Sequence, residues 1–300
     1  MSDTRRGALY GATAYLLWGV FPLYFPLLDP AGAVEVLAHR VVWSLVVVAA
    51  LVQATRSWAS VRAVAADRSK LWRLSAAAVF LAVNWGVYIY GVTSDQVVET
   101  SLGYFINPLV TVLLGVVVLR ERLRPAQWAA VGVAAVAVLV LSVENGRPPW
   151  IALTLACSFG TYGLLKKTAV VGALEGLTVE TAVLAPLALG YLVVLQVTGD
   201  STLTRGPGHA SLLVLTGVVT AVPLLFFGAA ASRVPLTTLG VLQYLAPTMQ
   251  FLIGVVVLGE PLGVAKVIGF CLVWVALGLF SADLMTHRRR TVRLAVPEPV

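Results

Sequence analysis

Arg40 is the residue of this sequence whose surroundings constrain its chemistry most sharply. It lies about seven residues inside an apolar stretch near 33–53, roughly 10 Å from the nearer helix end at about 1.5 Å per residue. A charged side chain at that depth is costly unless it faces water or an acidic partner. We therefore interpret Arg40 as a contact for an anion or other solute, or as part of a gate salt bridge with Glu99 or Glu35.

Three titratable side chains inside or beside apolar stretches are candidates for proton coupling or for gating. They are His39, Glu99 and Glu180. The pKa of histidine lies near neutral pH, which suits proton transfer, but adjacent helical residues point about 100° apart. His39 and Arg40 are therefore not expected to face the same spot. For Glu180, a solvated carboxylate at the start of a helix remains the alternative.

Two prolines, Pro108 and Pro247, lie near the middle of long apolar stretches. Proline inside a helix removes one hydrogen bond and clashes with the preceding turn, so both are predicted helix breaks. Breaks at matching places in two halves point to a transporter binding site, whereas a simple packing kink is the alternative. Hydrogen-bonding groups surround both prolines, and they face either a cavity or a neighbouring helix. These groups are Tyr104, Asn107, Gln243 and Tyr244.

Asn84 and Tyr88 lie four residues apart and share one face of a predicted helix. They are predicted to line a cavity for an aromatic or amphipathic solute. Anchoring of aromatic side chains at the membrane interface is the alternative for the outer tyrosine of this helix, Tyr90.

Motifs of enzyme chemistry are missing from the sequence. It contains neither a phosphate-binding Gly-rich loop ending in Lys-Ser/Thr nor a His-Glu-x-x-His helix, and it has no Gly-x-Ser-x-Gly elbow. The two cysteines are far apart and do not indicate a metal cluster. We therefore expect no enzyme activity, no cofactor and no metal.

The composition indicates a membrane protein. The chain is 59% hydrophobic and only 12% charged, with a mean hydropathy of +0.91. Backbone amides must be paired in lipid, so long apolar runs without alternation predict helices and an all-α fold. The ten predicted spans lie near 7–28, 33–53, 71–92, 97–119, 126–143, 149–167, 179–198, 209–231, 236–258 and 264–284.

The distribution of positive charge predicts the topology. With the N-terminus inside, 17 of the 21 Lys and Arg residues fall on the inner side, so both termini are predicted to be cytoplasmic. The net charge of +7 is therefore interpreted as a topology signal, not as a nucleic-acid surface. The basic residues after 286 form a predicted tail near anionic lipid.

The second half of the sequence repeats the first. A shift of 139 residues lays the segment Gly115–Leu119 over Gly254–Leu258, Pro108 over Pro247 and Glu121 over Glu260. Each predicted repeat, 1–145 and 146–285, has five helices, and an odd number inverts the second relative to the first. Inverted repeats are an architecture of transporters.

Several segments together resemble the RarD family, a branch of the drug/metabolite transporter superfamily with paired EamA domains. They are NWGVYIY (84–90), VETSLGYFINPL (98–109), LAHRVVWS (37–44), VTAVPLL (219–225) and TLGVLQYLAP (238–247). The resemblance covers nearly the whole chain. It implies two five-helix bundles around a central cavity and a multi-pass permease of the inner (plasma) membrane, often labelled chloramphenicol-sensitive or chloramphenicol resistance.

The sequence hypothesis is a secondary transporter that exports a small metabolite or drug-like solute by alternating access. A proton as the coupling ion and a homodimer are left open. The alternative is a membrane protein without transport activity, either a lipid-modifying enzyme or a scaffold. An enzyme would be expected to cluster catalytic residues at one interface, whereas the three histidines are scattered at 39, 209 and 287.

Overall fold

The computed structural model describes residues 3–120, 123–231, 233–234 and 242–295. These ranges are largely helical and contain no β-strand, which confirms the all-α prediction. The predicted start of the ninth helix at 236–241, the repeat residue Glu121 and the tail residues 296–300 lie outside them. The principal helices are α1 (Asp3–Gly19), α2 (Ala33–Ala54), α3 (Arg68–Thr93), α4 (Val97–Leu119), α5 (Pro125–Asn145), α6 (Trp150–Ala169), α7 (Ala173–Thr198), α8 (Pro207–Ala231), α9 (Leu245–Leu252) and α10 (Val264–Ala295).

Eight stretches of the described chain are long and apolar enough to cross a membrane. They are α1 with the helical turns that follow it to Leu28, then α2, α3, α4, α5, α7, α8 and α10. The 20-residue α6 and the shorter apolar run Leu245–Val257, which contains α9, occupy the positions of the other two predicted spans. The number of ten spans therefore stays a prediction.

The largest extensions beyond the predicted bounds are in α7 and α10. Helix α7 begins at Ala173 instead of near 179, and its first turn carries Glu175, a carboxylate that favours a helix N-terminus. Helix α10 continues to Ala295, so the segment predicted as a basic tail is helical throughout its described part, 286–295.

The start of α3 shows how a polar side chain fixes a helix end. The Asp67 carboxylate accepts hydrogen bonds from the backbone N–H groups of Ser69 (3.0 Å) and Lys70 (3.1 Å). Helix termini leave such N–H groups without partners, and an aspartate cap satisfies them. The hydrogen bond from Lys70 and then that from Ser69 hold the pKa of Asp67 below its ordinary value. The cap explains why α3 begins at Arg68.

The helix contacts come in matched pairs. Helix α1 packs on α8 as α6 packs on α3, α1 packs on α9 as α6 packs on α4, and α2 packs on α8 as α7 packs on α3. The remaining major contacts join α2 to α7, α4 to α9 and α5 to α10. In each matched pair, one contact becomes the other when both helices are replaced by those five places away in the chain, for example α1 by α6 and α8 by α3.

Small residues allow some of these helices to approach closely. A Cβ atom placed on Gly217 of α8 would lie 2.5 Å from the carbonyl oxygen of Trp43 on α2. One placed on Gly103 of α4 would lie 2.7 Å from the carbonyl oxygen of Ala152 on α6. Glycine at a helix interface is the usual means of close packing in membranes, where no hydrophobic force drives helices together.

Candidate functional site

A cavity of about 410 Å³ lies between α1, α2, α3, α4, α6, α7, α8 and α9. Its volume falls within the range of roughly 300–1,000 Å³ that is usual for small-molecule sites. Aromatic side chains make up much of its wall, among them Trp18, Phe21, Trp85, Phe159 and Phe227. The walls therefore combine a large apolar surface with a small number of polar groups.

The cavity collects many of the predicted site residues but not all of them. The predicted residues in its wall are Arg40, Asn84, Tyr88, Tyr104, Asn107, Gln243 and Pro247. The predicted residues outside its wall are His39, Glu99, Pro108, Glu180 and Tyr244. The residues come together because the helices that carry them all face the same space.

Arg40 is only 3% exposed and is held by aromatic and hydroxyl groups. Its Nε donates a 2.8 Å hydrogen bond to Thr220 Oγ1 of α8. Its guanidinium carbon lies 4.1 Å from the ring centroid of Trp85, and the rings of Phe21 and Phe25 are within 5.7 Å. A guanidinium stacked on an aromatic face is a favourable cation–π arrangement. These contacts fix the plane of the arginine in the cavity wall.

The expected salt bridge between Arg40 and Glu99 or Glu35 is wrong. Glu99 Oε1 accepts the backbone N–H of Ile151 at 3.0 Å, and Glu35 Oε1 accepts the backbone N–H of Thr202 at 2.8 Å. Ion pairs within the described residues do not include Arg40. Unpaired backbone N–H groups at the starts of neighbouring segments compete with Arg40 for these carboxylates. Here the N–H groups bind both Glu99 and Glu35.

Glu260, which the sequence repeat places in register with Glu121, has the same kind of role. It is 7% exposed and accepts the backbone N–H groups of Val97 (2.5 Å) and Val98 (3.0 Å) at the start of α4. Glu35, Glu99 and Glu260 therefore all bind backbone N–H groups of another segment. Such carboxylates tie helices together, as capping residues do.

Asn84 is committed to helix packing within the cavity wall. Its Nδ2 donates to the Leu155 carbonyl (3.1 Å) and to Ser158 Oγ (3.2 Å), and its Oδ1 accepts the Tyr104 hydroxyl (3.0 Å). This network joins α3, α4 and α6. Asn84 and Tyr104 thus already serve the packing role that was the alternative for polar residues at this depth.

Lys166 and Glu180 form an ion pair beside the cavity. Glu180 is fully buried, and its Oε1 accepts a 2.5 Å hydrogen bond from Lys166 Nζ. The Tyr162 hydroxyl donates to the other carboxylate oxygen at 3.4 Å. A solvated carboxylate at a helix start is thus the wrong interpretation of Glu180, because α7 begins two turns earlier. Lys166 lines the cavity, although the sequence suggested only a topology signal.

His39 and Arg40 differ in their surroundings, as the expected angle between them requires. His39 Nδ1 accepts from Trp43 Nε1 at 3.3 Å, and its Nε2 is buried without a partner among the described residues. His39 does not line the cavity.

The two prolines differ from the expectation of matching breaks. Helix α4 continues through Pro108, so the predicted break there is wrong, since a helix can tolerate the loss of one hydrogen bond. By contrast, the chain turns at Gln243 and Tyr244, directly before α9, which contains Pro247. Tyr244 was predicted to contact solute, but it stacks on Phe105 outside the cavity wall, with ring centroids 6.4 Å apart.

Gln250 is a cavity residue that the sequence interpretation missed. It is 2% exposed, and its Nε2 donates to the Trp18 carbonyl at 3.2 Å. The signal was present, because a glutamine three residues after Pro247 is unusual at membrane depth.

The fold and the cavity define a class of protein, namely a multi-pass membrane protein with an internal cavity of solute size. Residues 5–143 and 148–282 match the family model of the EamA-like transporter family. The chain therefore belongs to the EamA-like transporter family and is a membrane transporter.

Relatives with high identity specify the branch. Protein RarD of Streptomyces exfoliatus is 54% identical over 300 residues, which are 99% of this chain and 95% of that protein. Protein RarD of Escherichia coli (strain K12) is 42% identical over 290 residues, 96% of this chain and 98% of that protein. The resemblance to the RarD branch is thus confirmed, as is the location of a multi-pass protein in the inner membrane.

One crystal structure shares the fold at low sequence identity. It aligns with a TM-score of 0.59 and 20% identity over 94% of this chain and 98% of that chain. The similarity shows a common helical architecture over nearly the full length of both chains.

Proposed function

We propose that this protein is a secondary transporter that moves a small amphipathic organic solute across the plasma membrane by alternating access, in the direction of export. The observation that carries the proposal is the cavity of about 410 Å³, whose walls are aromatic with a few buried polar groups. Helices before residue 146 and helices after it both contribute to this wall. A site shared by two halves can open to either side when the halves rock against each other.

The proposed architecture is ten spans in two inverted repeats, 1–145 and 146–285, followed by a basic tail at 286–300, with both termini cytoplasmic. The matched helix contacts support it, because α1 on α8 repeats as α6 on α3 and α2 on α8 repeats as α7 on α3. Inverted repeats place a substrate site at their interface near the membrane midplane. The cavity at the contacts between α1, α2, α6 and α7 fits that expectation.

The proposed energy source is exchange with a proton or with a second solute. Among the predicted coupling residues, Glu180 is the strongest carrier because its carboxylate is buried against Lys166, a residue of the cavity wall. Protonation of Glu180 would release the Lys166 ammonium to the cavity. Glu99 is occupied at the start of α6, and His39 lies behind the wall.

A cavity-filling substitution tests the proposal. Gly163 lines the cavity, and a Cβ atom there would meet nothing within 4 Å, so Gly163→Leu fills space without a clash at Cβ. Gly132 is exposed on α5, and its Cβ position is also open. Gly132→Leu is therefore a matched control with the same added volume outside the cavity.

The measurement is solute uptake into proteoliposomes with a panel of aromatic, amino-acid and amphenicol compounds, with and without a pH gradient. We expect wild type and Gly132→Leu to transport at least one class of compound, and Gly163→Leu to lose most of that flux. A flux that rises with the pH gradient supports proton coupling. Folded wild-type protein that moves no solute under any gradient would contradict transport and favour the non-transport alternative.

A further inference from the structure

Unpartnered polar atoms gather at the cavity. Six buried side-chain atoms have no hydrogen-bond partner among the described residues, and four of them belong to the cavity wall. A buried polar group without a partner lowers stability, so such groups are rare and call for an explanation. The four atoms are Arg40 Nη1, Tyr88 Oη, Asn107 Oδ1 and Gln250 Oε1.

These atoms divide into donors and acceptors on different helices. Arg40 on α2 offers a charged N–H group, and the neighbouring Tyr88 on α3 offers a hydroxyl. Asn107 on α4 and Gln250 near the end of α9 offer amide oxygens. The Gln250 orientation is fixed because its Nε2 donates to the Trp18 carbonyl, which leaves the oxygen as the free end. A solute that satisfies the wall must therefore carry both an acceptor and a donor.

We propose, on the basis of the transport function above, that the solute is an organic monoanion. Its carboxylate binds Arg40, its aromatic or branched apolar body fills the aromatic part of the cavity, and a neutral N–H or O–H group donates to Asn107 or Gln250.

The charges of the wall select an anion. Arg40 and Lys166 are the charged residues of the described wall, and no carboxylate lines it. The Lys166 charge is neutralised by Glu180, which lies behind the wall. The cavity therefore carries one uncompensated positive charge, that of Arg40. A cationic solute would meet repulsion there, whereas an anion supplies the missing partner.

The geometry of Arg40 is suited to a carboxylate. Thr220 accepts the Nε hydrogen bond and Trp85 covers the face of the guanidinium, while Nη1 is buried without a hydrogen-bond partner among the described residues. A guanidinium held in one plane is already oriented for a charge-assisted hydrogen bond. The Nε and ring contacts of Arg40 are made before a solute arrives, and binding requires a local movement that exposes the buried Nη1 to the cavity.

Three probes share a phenylalanine body and differ in charge, and the first two are also matched in size. N-acetylphenylalanine carries a carboxylate, N-acetylphenylalaninamide replaces it by a neutral amide, and phenylalaninamide is a cation. Binding to purified wild-type protein is measured by calorimetry, independently of transport. We expect the carboxylate to bind about tenfold more tightly than the neutral amide, which corresponds to one charged hydrogen bond, and the cation to bind more weakly still.

Variants assign this preference to one residue. Arg40→Gln keeps a polar side chain but removes the charge, and we expect it to reduce the preference to below about twofold. Arg40→Lys keeps the charge but replaces the planar guanidinium by an ammonium, and we expect about a threefold preference for the carboxylate to remain. Arg147→Gln changes an exposed arginine that contacts Gln96, away from the cavity, and should leave the tenfold preference intact.

The outcomes distinguish this inference from transport itself. Wild-type protein that binds the carboxylate no better than the amide, or binds none of the three probes, overturns the anion assignment even if no variant folds. An unchanged preference in Arg40→Gln does the same. Uptake of only neutral or cationic probes would leave the transport proposal standing and refute the anion. Tight carboxylate binding without uptake would support the site and contradict transport.

Discussion

Arg40 and Lys166 are two cations in the wall of one cavity, yet they are compensated in different ways. Lys166 is paired with the fully buried carboxylate of Glu180, and Tyr162 completes that cluster. Arg40 is surrounded by Thr220 and aromatic rings and has no acidic partner among the described residues. The charge of Lys166 is therefore neutralised within the protein, whereas the charge of Arg40 is left for a solute to neutralise.

The difference indicates that the two charges have different tasks. A buried ion pair loses much stability when one partner is removed, because the other charge is left in a poor solvent. An unpaired buried charge already carries that cost, so its removal is far less destabilising. We therefore expect the Lys166–Glu180 ion pair to stabilise the fold or to act as a switch, and Arg40 to bind the solute.

The largest expected effect comes from Glu180→Gln. It leaves the Lys166 ammonium without a counter-charge, and we expect a loss of about 2–3 kcal/mol in the free energy of unfolding. This is less than for a completely buried pair, because the Lys166 side chain is 22% exposed. Reversible unfolding in mixed detergent micelles measures the change.

Two controls sharpen this first prediction. The double variant Lys166→Met with Glu180→Leu removes both charges and should recover most of the lost stability. Arg40→Gln should change the free energy of unfolding by less than about 1 kcal/mol, since it removes a charge that has no ion partner. If Arg40→Gln destabilises the protein as much as Glu180→Gln does, the distinction between the two cations fails.

A second prediction concerns the close contact that positions Arg40 against α8. In Gly217→Ala the added Cβ would lie 2.5 Å from the Trp43 carbonyl oxygen, and backbone atoms cannot move aside cheaply. We expect a loss of about 1–2 kcal/mol in the same unfolding measurement, together with a weaker preference for the carboxylate probe.

Gly132→Ala is the matched control for this contact. Its Cβ position is open, so the substitution should be neutral or stabilising by about 0.5 kcal/mol, because alanine favours helix. Equal effects of the two substitutions would mean that α2 and α8 are not held at close range.

The sequence predicted the all-helical fold and most helix bounds, because helices that cross a membrane must be apolar and the loops between them carry the charges. It also pointed to Arg40 by its depth, and to Asn107 and Gln243 by their places beside Pro108 and Pro247, and all three lie in the cavity wall. The partner of Arg40 could not be predicted in this way. Which carboxylate is near depends on helix packing, and backbone N–H groups compete for the same oxygens.

Lys166 and Gln250 are two residues of the cavity wall that the sequence interpretation did not assign to it. Lys166 lies near a helix end, where a lysine usually indicates topology, yet its flexible stem carries the ammonium into the cavity wall. Gln250 lies three residues after Pro247, and its type and depth were a signal that the sequence interpretation did not use. For Lys166, residue type and position permitted two interpretations, and the arrangement of the neighbouring helices decides between them.

A third, smaller effect is expected from Trp85→Leu. The substitution removes the ring that lies 4.1 Å from the Arg40 guanidinium carbon, and a buried cation–π contact contributes about 1 kcal/mol. The carboxylate preference should fall about fivefold because the guanidinium is no longer held in one orientation. Trp128→Leu, which changes a tryptophan that is 52% exposed on α5, should leave that preference unchanged. A full preference in Trp85→Leu would show that stacking does not orient Arg40.

The smallest effect is predicted for Thr220→Val, which keeps the shape of the side chain and removes the acceptor of the Arg40 Nε hydrogen bond. We expect affinity for N-acetylphenylalanine to fall about threefold, because the guanidinium must then be oriented by the solute itself. Calorimetry with the acid and its amide measures this change.

Thr178→Val isolates the contribution of the arginine. Thr178 is also buried and, like Thr220, donates to a backbone carbonyl four residues earlier, at 2.7 Å, but it is not an acceptor for an arginine among the hydrogen bonds of the described residues. Both variants lose that backbone bond, so the difference between them reports the bond to Arg40. In the Arg40→Gln background, Thr220→Val should cost no carboxylate affinity, since the group it orients is gone. A threefold loss that persists there would place Thr220 in direct contact with the solute, and Arg40 would then not be the residue through which it acts.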